Sequence, residues 1–236
     1  MAKKIAVQCG HGVSTDGSWD AGCVYGKYTE AGLMLAITKA AVKYLRASGI
    51  KVISDADKGN NKNMIKDVQW ANSEEVDLYV SIHCDYSKAP KGVMPLYVSS
   101  EGKKIATALN KAIKSGMGMK SRGVQKRTDL WELNGTDMPA CILETGGIKA
   151  DLAILRDKPD AYGKCIAKGL CSYLGVTFKE SAEAVTPYRV RASWKDSKSQ
   201  KGAFTSLKNA KACADKYGLK VYDKNGKEVY DGGKDD

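Results

Sequence analysis

The chain has 236 residues, 43% hydrophobic and 28% charged, which is enough apolar material for one full domain with some left for a small second one. A formal net charge of +11 favours polyanions, yet the lysines and arginines are spread out with no long basic run, so a specific nucleic-acid role is not expected and anionic wall polymers or plain solvation remain. No stretch approaches the ~20 apolar residues that span a membrane, and Met1-Ala2-Lys3-Lys4 leads into a strand with no apolar secretory core, so synthesis in the cytoplasm is expected.

In chain order, Lys3 to His11 reads as a first strand and Thr29 to Ser48 as an amphipathic helix, with Leu33, Leu35, Ala36, Ile37, Ala40, Ala41, Tyr44 and Leu45 on its apolar face and Gly49 as its stop. A short strand (Lys51 to Ser54), a polar loop (Lys58 to Asn63), a second helix (Met64 to Ser73) and a strand ending at His83 follow. Gly92 to Val98 reads as an edge-like strand, because Pro95 cannot donate a ladder hydrogen bond. A third helix runs from Glu101 to Lys114, a Gly- and Lys-rich loop from Ser115 to Leu130, a strand from Pro139 to Glu144, and a helical region from Asp151 to Tyr173 that breaks at Pro159. This alternation predicts an α/β fold: a mostly parallel twisted sheet with helices on both faces over residues 1–178. Residues 179–186 are small and polar, as linkers are. Residues 187–236 read as a small α+β module, with a helix from Ser206 to Tyr217 and a hairpin turn at Asn225-Gly226.

Seven cysteines, an odd number with no Cys-x-x-Cys pair, argue against zinc knuckles and thioredoxin-like motifs. They read as small core residues of a reducing compartment. There are only two histidines, and both stand where a strand runs out. In open α/β sheets, ligands gather at the carboxyl ends of strands. His11 and His83 therefore supply two ligands of a catalytic metal, which takes three protein donors and leaves a fourth position open. Glu30 opens the first helix after a glycine-bearing loop (Gly22, Gly26) that returns to the end of strand one. By itself it would serve as an acid complementing the helix dipole; with two histidines on the same rim it reads as the third ligand. Glu144 ends an apolar strand at the same edge, where a carboxylate can take a proton from an activated water and hand it to a leaving amine.

Cys9-Gly10-His11-Gly12, Asp20-Ala21-Gly22, Glu30 before a long helix, Ser81-Ile82-His83 and Ile142-Leu143-Glu144 occur in an order that resembles the zinc-dependent N-acetylmuramoyl-L-alanine amidases of the amidase-3 family, which includes phage endolysins and bacterial autolysins. The resemblance covers roughly residues 1–176. It implies a Zn2+ site of His11, Glu30 and His83, with Glu144 as catalytic acid/base, and hydrolysis of the amide between N-acetylmuramic acid and L-alanine in peptidoglycan. It also implies action on the wall after release from the cell. Three features depart from the family pattern. Asp85 stands where asparagine is usual, the loop after His11 is longer, and Gly147 stands where an aromatic residue is common.

Trp19 and Tyr25 in the first loop, and Arg122, Lys126, Arg127 and Trp131 in the later one, are candidates for a glycan- and peptide-binding groove, since aromatic faces pack on sugars and basic groups meet carboxylates; anchoring of the loops and solvated charge are the alternative. In the tail, Tyr188-Arg189-Val190-Arg191 and Gly202-Ala203-Phe204 before a helix resemble a shortened sporulation-related repeat. That resemblance implies wall binding through Tyr188, Arg189, Arg191 and Phe204; a structural appendage or a dimerisation piece is the alternative. Two rival functions stay open: a zinc peptidase cutting within the stem peptide, and a non-catalytic wall-binding protein.

Overall fold

Ile5, Ala6 and Val7 are all fully buried, so the first strand is covered on both faces, the condition under which parallel sheets occur. The structure is a computed structural model that describes residues 3–58, 63–180 and 188–233. The chain divides into two compact units, Met1–Ala182 and Glu183–Asp236. Most of the polar loop expected at 58–63 and of the linker expected at 179–186 lies outside the described residues.

The larger unit runs β1 (Lys4–Cys9), α1 (Glu30–Ala47), β2 (Lys51–Ile53), α2 (Met64–Ser73), β3 (Leu78–Asp85), β4 (Met94–Tyr97), α3 (Ser100–Met117), β5 (Gln125–Lys126), α4 (Trp131–Asn134), β6 (Ala140–Gly147), α5 (Leu152–Asp157) and α6 (Pro159–Leu174). The six strands form one sheet in the order β2-β1-β3-β6-β4-β5. The first four are mutually parallel, whereas β4 runs antiparallel to β6 and β5 parallel to β4. Alternate strand residues point to opposite faces. Ile5, Val7, Leu78, Val80, Ile82, Cys141 and Leu143 join the core under α1, α3 and α6. Ala6, Tyr79, Ala140 and Ile142 meet Val68 and Ala71 of α2 and Leu133 of α4 on the other face.

Local chemistry sets the helix starts. The Thr29 hydroxyl accepts the Gly32 N–H at the start of α1, and Asn63 accepts from Ile65 and Lys66 at the start of α2. Pro159 is the first residue of α6, where its missing N–H costs nothing. On α1, Leu35 and Ala36 turn out of the core and Met34 and Thr38 take inner positions. The expected edge strand lies inside the sheet, but β5 pairs only with Leu96 and Tyr97, so Pro95 lies beyond that ladder. Helix α3 continues to Met117 and stops at Gly118, which is left-handed at φ 63. The loop read as 115–130 is thus shorter and carries β5. The long first loop holds two miniature hairpins, Gly12–Val13 with Trp19–Asp20 and Val24–Tyr25 with Tyr28–Thr29.

The smaller unit is an antiparallel sheet with one helix: β7 (Tyr188–Arg191), β8 (Gly202–Phe204), α7 (Leu207–Tyr217), β9 (Lys220–Tyr222) and β10 (Glu228–Asp231), in the order β8-β7-β9-β10. Ala210 and Ala214 of α7 pack on Val190 and Val221. The strand β8 was not expected from the sequence, where Gly202 and a run of only three residues hide it. Among the described residues no helix is long and apolar enough to cross a membrane.

Candidate metal centre

The chain leaves β1 through α1 for β2 on one side, then returns through α2 to β3 on the other. A crevice opens where such connections diverge, at the carboxyl ends of β1 and β3. His11 follows β1 directly after Gly10, in the left-handed backbone region at φ 64, a conformation residues with a side chain adopt at a cost of about 1–3 kcal/mol and typically at functional sites. A Cβ on Gly10 would lie far inside contact distance of the His83 Nδ1, so bare backbone is what lets the two segments approach. The His11 Nδ1 lies 2.8 Å from Asp20 Oδ2, and its Nε2 lies 3.3 Å from Glu30 Oε2. His83 Nδ1 lies 3.0 Å from Glu30 Oε1, and the two imidazoles meet edge to face with centroids 5.1 Å apart. One donor atom from each of His11, Glu30 and His83 lies within 4.8 Å of the others.

Glu30 is buried because the loop before α1 and the end of β3 both wrap it. The amides of Cys23 and Cys84 donate to its two oxygens at 3.0 and 2.9 Å. Burial opposes charging of this carboxyl, but the hydrogen bond and charge of His83, the charge of His11 and the Cys23 amide outweigh it and hold it below its ordinary value.

A second buried carboxylate, Glu132 on α4, was not singled out in the sequence. Its Oε2 lies 3.6 Å from His83 Nε2, and its Oε1 accepts the Tyr79 hydroxyl at 2.6 Å. Burial disfavours the His83 imidazolium, yet Glu132 and then Glu30 overcome this and raise the imidazole well above its ordinary value. The sequence signal was an acid framed by Leu130, Trp131 and Leu133. Both histidines thus offer one nitrogen to the centre and the other to a carboxylate, as metal-bound histidines generally do. Glu132→Gln is expected to weaken divalent-ion affinity about 10- to 100-fold, measured by competition with a chromogenic chelator; an unchanged affinity would remove Glu132 from the centre's support.

Glu144 on β6 stands in register with His83 on β3, on the face that also carries Tyr79 and Ile142. Its Oε2 is buried with no hydrogen-bond partner among the described residues. Burial pushes this carboxyl up to about 7, with Glu30 and Asp85 adding to the effect and His83 and Arg122 opposing it. The Thr145 hydroxyl donates to the His83 carbonyl at 2.8 Å, and Tyr162 donates to the Thr145 carbonyl at 2.6 Å, which pins the two strand ends together. Two imidazole nitrogens, one carboxylate and an adjacent carboxyl with an unsatisfied oxygen fit a divalent ion with an open position.

Of the groove candidates, Arg127 and Trp131 line a cleft together with His83, Glu132 and Glu144; Arg127 is paired with Asp129 at 2.6 Å. Arg122 does not present itself to a groove. It is 14% exposed, 2.8 Å from Asp85, and its Nε donates to the Gly92 carbonyl. That pairing matches the charge of Asp85, the residue at the position where asparagine was expected. Trp19 is 65% exposed and Tyr25 38% exposed on the hairpins, and neither lines the cleft that holds Glu144. Lys126 is exposed on β5. In the smaller unit, Tyr188 and Phe204 pair across strands and pack against its core. Arg189 and Arg191 both reach Gln200, and Arg191 lies 5.4 Å over the Trp194 ring.

Residues 5–172 match the family described as N-acetylmuramoyl-L-alanine amidase. The endolysin of Bacillus phage SPP1 is 30% identical over 183 residues, covering 72% of this chain and 64% of the phage protein. A 38.4 kDa protein of Clostridium perfringens is 34% identical over 179 residues, covering 71% of this chain and 51% of that protein. The chain therefore spans between half and two thirds of the length of these relatives. The catalytic domain of CwlV, an N-acetylmuramoyl-L-alanine amidase from Bacillus (Paenibacillus) polymyxa var. colistinus, superposes with a TM-score of 0.64 at 25% identity, covering 74% of this chain and 99% of that domain.

Proposed function

The chain belongs to the N-acetylmuramoyl-L-alanine amidase family, and from that premise we propose that it hydrolyses the amide between N-acetylmuramic acid and L-alanine in bacterial peptidoglycan, with zinc held by His11, Glu30 and His83. The observation that carries this reading is the gathering of those three donor atoms within 4.8 Å beside the unsatisfied oxygen of Glu144. Zinc, when bound, polarises the scissile carbonyl and acidifies the attacking water. Glu144 accepts the proton of that water and delivers it to the departing L-alanine nitrogen. Asp20 and Glu132 orient the two imidazoles, and Arg127 and Trp131 line the cleft along which the glycan or stem peptide lies. Likeness to a phage endolysin supports a lytic role exercised on the wall after release.

Product analysis on purified walls tests the reaction. New free L-alanine amino groups, with clearing of turbidity, are expected. New amines from other stem residues would replace the amidase by a peptidase, and binding without any new amine would leave only a wall-binding protein.

The smaller unit supplies wall binding in this reading, with Arg189 and Arg191 on its strand β7 toward anionic groups of the polymer. Tyr188 and Phe204 act there mainly as core. Deleting residues 187–236 is expected to lower retention on insoluble walls, in a pelleting assay, by about an order of magnitude or more, because a tethered second site raises local concentration. Cleavage of small soluble fragments should persist. Equal retention of the two forms would assign the unit another role.

A further inference from the structure

Cys84 follows His83 on β3 and so projects from the opposite face of the sheet, into the core beneath α1. Cys23, half-buried in the loop before α1, places its Sγ 3.8 Å from the Cys84 Sγ. Both thiols are free. One ligand atom from each of Cys23, Glu30 and Cys84 lies within 4.8 Å of the others. A disulfide requires sulfurs at about 2.05 Å. Two thiolates sharing one tetrahedral zinc at about 2.3 Å each stand about 3.8 Å apart, and a larger thiophilic ion needs them to part by only a few tenths of an ångström. The pair therefore has the spacing of two ligands on one ion. The partial exposure of Cys23 gives an ion access, and the sulfur donors select a soft one.

We propose that Cys23, Cys84 and Glu30 form a second cation site, for a thiophilic divalent ion such as cadmium, that draws on the same carboxylate as the imidazole centre and antagonises it. On binding, each thiol releases its proton to solvent, so the dication and two thiolates cancel in charge. The remaining negative charge is that of the Glu30 carboxylate, which already accepts the amides of Cys23 and Cys84. Glu30 is the shared element, and an ion on the sulfur side competes for its oxygens. The site itself is independent of the amidase reading; the antagonism rests on the zinc role assigned to Glu30.

The test titrates cadmium chloride into the full zinc-loaded chain, kept reduced with a phosphine. It reads the ultraviolet thiolate-to-cadmium charge-transfer band, the bound metals by elemental analysis, and wall clearing. One cadmium per chain is expected to raise the band and suppress clearing. Cys23→Ser and Cys23→Ala should lose the band and require cadmium in excess of the wild-type dose by well over the roughly tenfold that loss of an outer-shell partner costs. Cys213→Ser, altered in the smaller unit, should behave as the wild type. A band that survives in both Cys23 variants, or zinc release by cadmium with no band, would overturn the site. Equal cadmium sensitivity of variant and wild type would overturn the antagonism. A chain that binds no zinc beforehand yet still develops the Cys23-dependent band would instead sink the zinc reading and leave the dithiol site standing.

Discussion

Replacing Glu144 by glutamine is expected to lower the rate of amide hydrolysis by a factor of about 10²–10⁴ and to leave the metal content unchanged. Glutamine keeps the shape of the side chain and removes the proton acceptor. The three ligand residues are untouched, since Glu144 meets the centre through its strand register with His83 and not as one of the clustered donors. The same substitution has a predicted effect on stability. Burial raises this carboxyl from 4.5 to about 7, so between those values the folded chain holds a proton that the unfolded chain has lost. Stability then falls as pH rises through that window, by roughly 3 kcal/mol at most. Thermal melts of the metal-free protein should show Glu144→Gln gaining on the wild type from about pH 5 to about pH 8. Full activity in the variant, or a loss of bound zinc, would remove Glu144 from the assigned role.

Stripping the ion with a chelator is expected to abolish hydrolysis and to lower the melting temperature, both restored by added zinc. With free zinc a thousandfold above its dissociation constant, binding stabilises the fold by about 4 kcal/mol, on the order of 10 °C for a unit of this size. The effect has a definite pH sign. Without the ion, Glu132 and Glu30 raise the His83 imidazole well above 6.5. Protonated His83 therefore stabilises the metal-free fold fully below 6.5, and that contribution is lost as pH rises through the folded value. Zinc needs the same imidazole neutral. The stabilisation by zinc should accordingly shrink as the solution is acidified, while the metal-free form holds its own. Calorimetry of both forms across the acid range checks this; a zinc effect that grows toward low pH contradicts the ligand assignment. His11→Ala should reproduce the stripped state at neutral pH even with zinc present.

The sheet and its helices were legible because hydrophobic periodicity and breaker residues were strong: α2 spans Met64–Ser73 as read, and the helical region breaks at Pro159, which starts α6. His11, Glu30, His83 and Glu144 stood out in the sequence as candidates near element boundaries on one rim; the structure carries β3 on to Asp85 and β6 on to Gly147, so His83 and Glu144 lie inside their strands and do not end them. Glu132 did not stand out, since its value lies in a buried meeting with a histidine 49 positions away, which no local pattern encodes. Arg122 reads from the sequence as a groove candidate with loop anchoring or solvated charge as the alternative; its pairing with Asp85, 37 positions earlier, is the anchoring contact and is encoded by no local pattern. The inner place of the Pro95 strand escaped notice because β5, the strand that covers it, is only two residues long.

The strand that bears Glu144 is inserted between β3 and β4, although it is made after both. Until the ribosome has delivered it, the half-sheet ending at β3 and the parallel pair β4–β5 have no common seam, and each presents bare backbone amides to any neighbour. Truncation before residue 140 should therefore yield insoluble aggregates and not an inert zinc carrier. Closure of the architecture and arrival of the Glu144 carboxyl beside His83 are one event in assembly.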